Sequence, residues 1–358
     1  MSGDEEAERI ARARAGQAET LQAVLQERFW LPREHLFRVA EGRRLGWRGP
    51  WHHWWQSHAL AALLDRWDRT GDPASLAQAE AVVEGMRRRG RGRLTNDFYD
   101  DLGWLALALL RMPDRLDDAR DLVQVIRSGE SPGGGIAWSR QTPEFRNTPA
   151  TGPATLVALR LGARTNDDEL VAWGRSLAGW IAGTLVTPFA EVHDGLRVHP
   201  DGTTGVDTAQ YSYNFGLVVG VELAMSELTT DAVHLDPTHL DRARLVAAAA
   251  LRRFTDPATG IWVSEGTGDG ALFRGILARH LADLALATGD VDLGDALQAQ
   301  ADAVWTSSGG GPVGHDWSRP CDHPVELSEH VGGLLVVEAA ARLADLPRTA
   351  GPDTTYTH

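Results

Sequence analysis

Apolar residues recur along most of the chain at intervals of three and four, the spacing that places them on one stripe of a helix. Residues 5–29 form the first such stretch, with Leu21, Val24 and Leu25 on the stripe. An irregular segment rich in Arg, Gly and Pro follows over 30–50, and from there helical stretches come in pairs. The pattern predicts helices over 51–69 and 74–89, 99–111 and 115–127, 149–161 and 167–184, 213–228 and 238–254, 271–287 and 291–305, and a last one over 326–344. With the first stretch that makes twelve.

The connections alternate in length. Within a pair they are short and carry helix punctuation, as in Thr70-Gly71-Asp72-Pro73, where Gly ends one helix and Asp-Pro opens the next. Between pairs they are long: 90–98, 128–147, 185–212, 255–270 and 306–325. No region shows sustained period-two alternation, which argues against an α/β fold. Helices joined by short turns pack as antiparallel neighbours. If the pairs close into a ring, every long connection emerges at one end. The expectation is an all-α protein, an (α/α)6 toroid of six helical hairpins in a single domain over 1–346, followed by a polar, disordered tail over 347–358. An open solenoid would require repeats more alike than these.

Composition narrows the partners. A net charge of −14 is unsuited to nucleic acid or to an anionic membrane surface. No stretch approaches the ~20 apolar residues of a membrane span. Cys321 is the only cysteine, so no internal disulfide or thiolate cluster can form. The acidic start, Met1-Ser2-Gly3-Asp4-Glu5-Glu6, lacks an apolar signal core and fits a cytoplasmic protein. Thirteen Trp against eight Phe and four Tyr is an excess that suits stacking on sugar rings, although Trp also fills cores.

The candidate chemistry gathers at the long-loop end. Asn96-Asp97-Phe98-Tyr99-Asp100-Asp101-Leu102-Gly103-Trp104 places two adjacent carboxylates, flanked by aromatics, where a loop becomes a helix. Carboxylates also cap helix starts, which explains one Asp easily but not the aromatic setting. Other helix starts at that end contribute Trp51 and Trp54, Asn147, Tyr211, Tyr213 and Asn214, and Arg274; their loops add Trp138, Asp194 and Asp316. Gly133-Gly134-Gly135 lets backbone approach a ligand, or is an ordinary turn. Trp54 and Trp55 cannot both face a cavity, so one of them belongs to the core. His52, His53 and His58, like His315, His323 and His330, lack the His-Glu-x-x-His spacing of a zinc helix and read as surface or packed histidines. No metal and no cofactor is expected.

These residues resemble glycoside hydrolase family 76, the endo-α-1,6-mannanase family, from about Trp51 to Ala344. Tyr99-Asp100-Asp101-Leu102-Gly103-Trp104 looks like that family's Tyr-Asp-Asp segment. Gly134-Gly135-Ile136-Ala137-Trp138, Tyr211-Ser212-Tyr213-Asn214-Phe215-Gly216 and Phe273-Arg274-Gly275-Ile276 follow in the family's order. The resemblance implies an (α/α)6 fold and retaining hydrolysis of α-mannosidic bonds in mannan or manno-oligosaccharides, with Asp100 as nucleophile and Asp101 as general acid/base. Asp194 would bind a sugar hydroxyl, or Asp207 in its place. Two details depart from the family: Arg274 stands where a lysine is expected, and Leu102-Gly103 replaces a more polar pair. Two other functions compete. A sugar epimerase on the same toroid would rely on His53 or His330, and a non-catalytic carbohydrate-binding relative would keep the cleft without turnover.

Overall fold

The computed structural model describes residues 3–43, 51–228 and 235–343. Twelve α-helices occur among them: α1 (Gly3–Val24), α2 (His53–Thr70), α3 (Pro73–Arg89), α4 (Tyr99–Leu109), α5 (Leu116–Arg127), α6 (Thr148–Thr165), α7 (Asp168–Thr184), α8 (Ser212–Glu227), α9 (Pro237–Phe254), α10 (Gly270–Thr288), α11 (Val291–Ser308) and α12 (Leu327–Arg342). The tail expected over 347–358 lies outside the described residues.

The even-numbered helices form a closed inner ring. α2 packs on α4, α4 on α6, and so on through α8, α10 and α12, which returns to α2. The odd-numbered helices form an outer layer, each against an inner one. The protein is an (α/α)6 barrel. The sequence specifies the layers differently. Outer helix α5 is amphipathic, with Ala119, Leu122, Val123 and Ile126 buried and Asp117 and Asp121 facing out. Inner helices are enclosed on both sides; all but two of the sixteen residues of α12 are buried. Glycines let the inner ring close tightly. A Cβ on Gly332 would lie 2.1 Å from Ala271 O, and one on Gly275 would lie 2.5 Å from Gly332 O, so α10 and α12 cross with backbones touching.

The two ends of the barrel start their helices differently. At the short-turn end, side chains cap the outer helices: Asp72 Oδ1 accepts from Ala74 N–H at 2.9 Å and Asp290 Oδ1 from Leu293 N–H at 3.0 Å. At the long-loop end, α2, α4, α8 and α10 begin with no side-chain cap. Some of their first N–H groups are taken up by the loops instead: Tyr99 N–H donates to Trp138 O at 3.0 Å and Ser212 N–H to Glu265 Oε1 at 2.9 Å.

The long connections hold structure that the alternation argument did not anticipate. β1 (Trp30–Leu31) pairs with β2 (Leu36–Phe37). β3 (Phe145–Asn147), β4 (Gly195–Val198) and β5 (Thr204–Asp207) form a three-stranded antiparallel sheet that ties the connection before α6 to the one before α8. α1 also ends earlier than expected, in a π turn over Leu25–Phe29. The lumen is partitioned midway: the His58 ring lies 4.9 Å from Trp104 and 5.5 Å from Trp54. Below this partition a cavity of about 620 Å³ opens at the short-turn end, where Asp65 takes Arg111 at 2.7 Å and Arg279 at 2.5 Å. Trp104 borders both this cavity and the one above.

Candidate active site

Above the partition lies a cavity of about 530 Å³, reached from the long-loop end. Its acids come from one helix and two connections. Asp100 and Asp101 occupy the first turn of uncapped α4, Asp194 precedes β4, and Asp269 precedes α10. Trp54, Trp104, Trp138 and Phe145 line the walls, together with Tyr213 and Phe273, which stack at 3.9 Å with an 8° interplanar angle. Among the described residues no Arg contributes to the lining, and the chain contains no Lys.

The adjacent carboxyls have different surroundings. Asp100 Oδ1 accepts the Asp101 N–H at 3.0 Å, and Asp100 Oδ2 accepts the Trp138 indole N–H at 3.0 Å. Burial pushes Asp100 up to about 7, against the pull of those two donors. Asp101 is also pushed well up, by burial and then by the charge of Asp100; the Asn96 amide, which donates to Asp101 Oδ2, opposes the shift. His53 faces the same oxygen from 4.0 Å. Burial lowers His53 to about 4, so it is neutral. Its Nε2 pairs with Leu94 O at 3.0 Å, which leaves the Nδ1 lone pair toward Asp101. A neutral imidazole lone pair suits a protonated Asp101. Two buried carboxyls this close disfavour ionising together, so the charge of one holds back the other.

Asp269 extends the acidic surface. Its Oδ1 accepts the indole N–H groups of both Trp54, at 3.0 Å, and Trp55, at 2.7 Å. Trp55 is buried and Trp54 borders the cavity, yet one carboxylate anchors both. On the opposite wall Asp194, raised to about 6 by burial, accepts from the Asn214 amide at 2.9 Å.

Eight of the residues expected at the site border the cavity: Trp54, Asp100, Asp101, Trp104, Trp138, Asn147, Asp194 and Tyr213. Six do not. Trp51 packs edge-on against His53, 5.5 Å between centroids. The Tyr99 ring turns back onto Gly129, whereas its N–H donates to Trp138 O at 3.0 Å. Tyr211 stands exposed at the rim, 5.4 Å from Phe273. Asn214 lies behind Asp194. Arg274 is fully buried one turn into α10; its guanidinium donates to Trp262 O at 2.9 Å and to His315 O, and stacks on Trp317. Asp316 accepts from Ser318 and Arg319 in a turn of its own. Asp207 Oδ1 accepts from Ala209 N–H on the exposed end of β5. His330 is buried against Phe29 and pairs with Leu21 O at 3.0 Å, away from the cavity. The residues that sequence reasoning missed are His52, Phe145, Asp269 and Phe273; Asp269, an acid among glycines immediately before a helix start, carried a usable signal.

An (α/α)6 toroid with buried acids and aromatic walls at its loop end suits a glycoside hydrolase. The chain belongs to glycosyl hydrolase family 76, whose model matches residues 41–344. It is similar to the α-1,6-mannanase GH76A of Salegentibacter sp. HEL1_6, with 28% identity and a TM-score of 0.85 over 92% of this chain and 99% of that one. An inactive variant of that mannanase, with two adjacent aspartates replaced by asparagine, has been solved in complex with α-1,6-mannotriose; it is 27% identical, with the same TM-score and coverage. The Lin0763 protein from Listeria innocua matches at 27% identity and a TM-score of 0.84, over 92% of this chain and 97% of that one. No curated protein is significantly similar to the chain. No helix among the described residues is long and apolar enough to cross a membrane.

Proposed function

We propose that this glycoside hydrolase cleaves α-1,6-mannosidic bonds in mannan or manno-oligosaccharides with retention of configuration. Asp100 is the nucleophile and Asp101 the general acid/base. In the first step the Asp100 carboxylate attacks the anomeric carbon while Asp101 gives its proton to the glycosidic oxygen, and the leaving sugar departs as an alcohol. In the second step Asp101 takes a proton from water, whose oxygen displaces Asp100 from the anomeric carbon. Asp269 and Asp194 accept hydroxyl hydrogens of the bound sugar, and the aromatic walls take its apolar faces.

The observation that carries this reading concerns adjacent aspartates. The chain has three such pairs: 100/101, 117/118 and 167/168. Only the first borders the cavity. Asp118 is held by Arg87 and Arg115 at the barrel surface, and Asp167 caps α7. The Salegentibacter mannanase solved with α-1,6-mannotriose was inactivated at just such an adjacent pair. Asp100 accepts two N–H donors while Asp101 faces a neutral imidazole, a difference that fits an ionised nucleophile beside a protonated acid.

The test is incubation of wild type and Asp100→Asn with α-1,6-mannotetraose, followed by NMR of the anomeric protons. Wild type should release α-configured product first, and the variant should lose at least about a thousandfold in rate. A first product in the β configuration would contradict retention. No turnover by folded wild type would leave a carbohydrate-binding protein.

A further inference from the structure

We propose that the connection between α11 and α12 carries a zinc site built from His315, His323 and Glu329, with Cys321 as the fourth donor. It lies apart from the sugar cavity and does not depend on the reading given above for that cavity.

One ring nitrogen of each histidine and one Glu329 oxygen lie within 4.8 Å of one another. His323 Nε2 is already 2.9 Å from Glu329 Oε1. Cys321 Sγ is 3.7 Å from the same His323 Nε2. Zinc takes imidazole nitrogen at about 2.0–2.1 Å, carboxylate oxygen at about 2.0–2.2 Å and thiolate sulfur at about 2.3 Å in a tetrahedron, so neighbouring donors stand roughly 3.3–3.6 Å apart. The two imidazoles and Glu329 already stand close to that geometry, and Cys321 Sγ, which is 3.4 Å from His323 Nδ1, would turn toward Nε2 to complete it.

The second atom of each donor is already held, which is how metal ligands are commonly oriented. His315 Nδ1 pairs with Ser264 Oγ at 2.7 Å. His323 Nδ1 faces Asp322 Oδ1 at 3.5 Å. Glu329 Oε2 accepts the Glu326 N–H at 2.7 Å within the capping box of α12, while Oε1 faces His323 and also accepts the His315 backbone N–H at 3.0 Å. Glu329 is buried and both histidines are half-buried, so the position is sheltered but open to a small cation. Two imidazoles, a carboxylate and a thiol within reach are a donor set that favours zinc over magnesium or calcium.

The ion would have structural work. The capping box that holds Glu329 also orients Glu326, whose Oε2 accepts the Gly268 N–H at 2.8 Å, next to Asp269. Zinc would therefore clamp two connections at the loop end: the one ending at α12 and the one that carries Ser264 and presents Asp269.

The experiment uses untagged, chelator-stripped full chain titrated with Zn²⁺ alone, followed by calorimetry, metal analysis and thermal melting. We expect about one zinc per chain, a dissociation constant below about 1 μM and a melting temperature raised by several degrees. His315→Ala and His323→Ala, checked for folding by circular dichroism, should each weaken binding at least about tenfold. Cobalt in place of zinc should give a thiolate charge-transfer band that Cys321→Ser removes. Failure of folded wild type to bind at about 100 μM zinc, or unchanged affinity in both histidine variants, overturns the site and leaves His323 and Glu329 as an ion pair. Absence of the cobalt–thiolate band overturns the part assigned to Cys321.

Discussion

The Trp138 indole N–H points at Asp100 Oδ2 from 3.0 Å, so the ring that walls the cavity also holds the carboxylate beside it. Tyr99 N–H in turn donates to Trp138 O at 3.0 Å. The acid and the ring are thus fixed to each other by one side-chain bond and one backbone bond.

Trp138→Phe keeps the apolar wall and removes the donor. A hydrogen bond to a charged group is worth about 1.5–3 kcal/mol, so kcat should fall about ten- to a hundredfold. Asp100 should also titrate higher than it does in the wild type. As the proposed nucleophile Asp100 has to be ionised, so the acid limb of the pH–rate profile should move to higher pH. An unmoved limb would mean that the indole does not hold the charge.

Stability and catalysis should pull in opposite directions at the pair. Both carboxyls have folded-state pKa values raised above their unfolded values. The folded protein therefore binds their protons more tightly. The stability this contributes is fully present below the unfolded pKa, near 4, and is lost as pH rises through the folded values. Asp101→Asn removes the titration. It should melt a few degrees above wild type at pH 8, with the gap closing toward pH 4, while activity is lost. Melting curves of both proteins at pH 4, 6 and 8 measure this. A variant less stable than wild type at pH 8 would contradict it.

Gly129 is the support beneath the site. A Cβ there would lie 2.6 Å from Tyr99 Cε2. Gly129→Ala should displace the ring at the start of α4 and destabilise the protein by about 1–3 kcal/mol. Because Tyr99 is bonded to Trp138, activity should fall by more than the loss of folded protein accounts for. Urea unfolding beside kcat measured on folded protein separates the two effects.

The ring of hairpins was legible because the alternation of short and long connections survives in the punctuation, as at Gly71-Asp72-Pro73. Gly71 adopts the left-handed conformation and donates to Trp67 O, and Asp72 caps the next helix. The small sheet was not legible, since β3, β4 and β5 span only three or four residues each, too few for period-two alternation to register. Asp100 and Asp101 stood out by adjacency. Asp269 did not, because its setting depends on Trp54 and Trp55, more than two hundred residues earlier. Arg274 shows the converse. At the helix start its charge suggested a ligand-binding role, but one further turn takes it below the mouth, where it bonds backbone carbonyls. His315 and His323 were dismissed for want of a helical metal spacing; they meet Glu329 only because the connection folds back on the first turn of α12.

The partition at Trp104 and His58 makes this toroid a well, not a tunnel. Molecules entering from the loop end meet indole and imidazole before they reach the arginines below. A polymer therefore cannot be threaded through the ring, and whatever enters from the loop end has to leave by the same mouth.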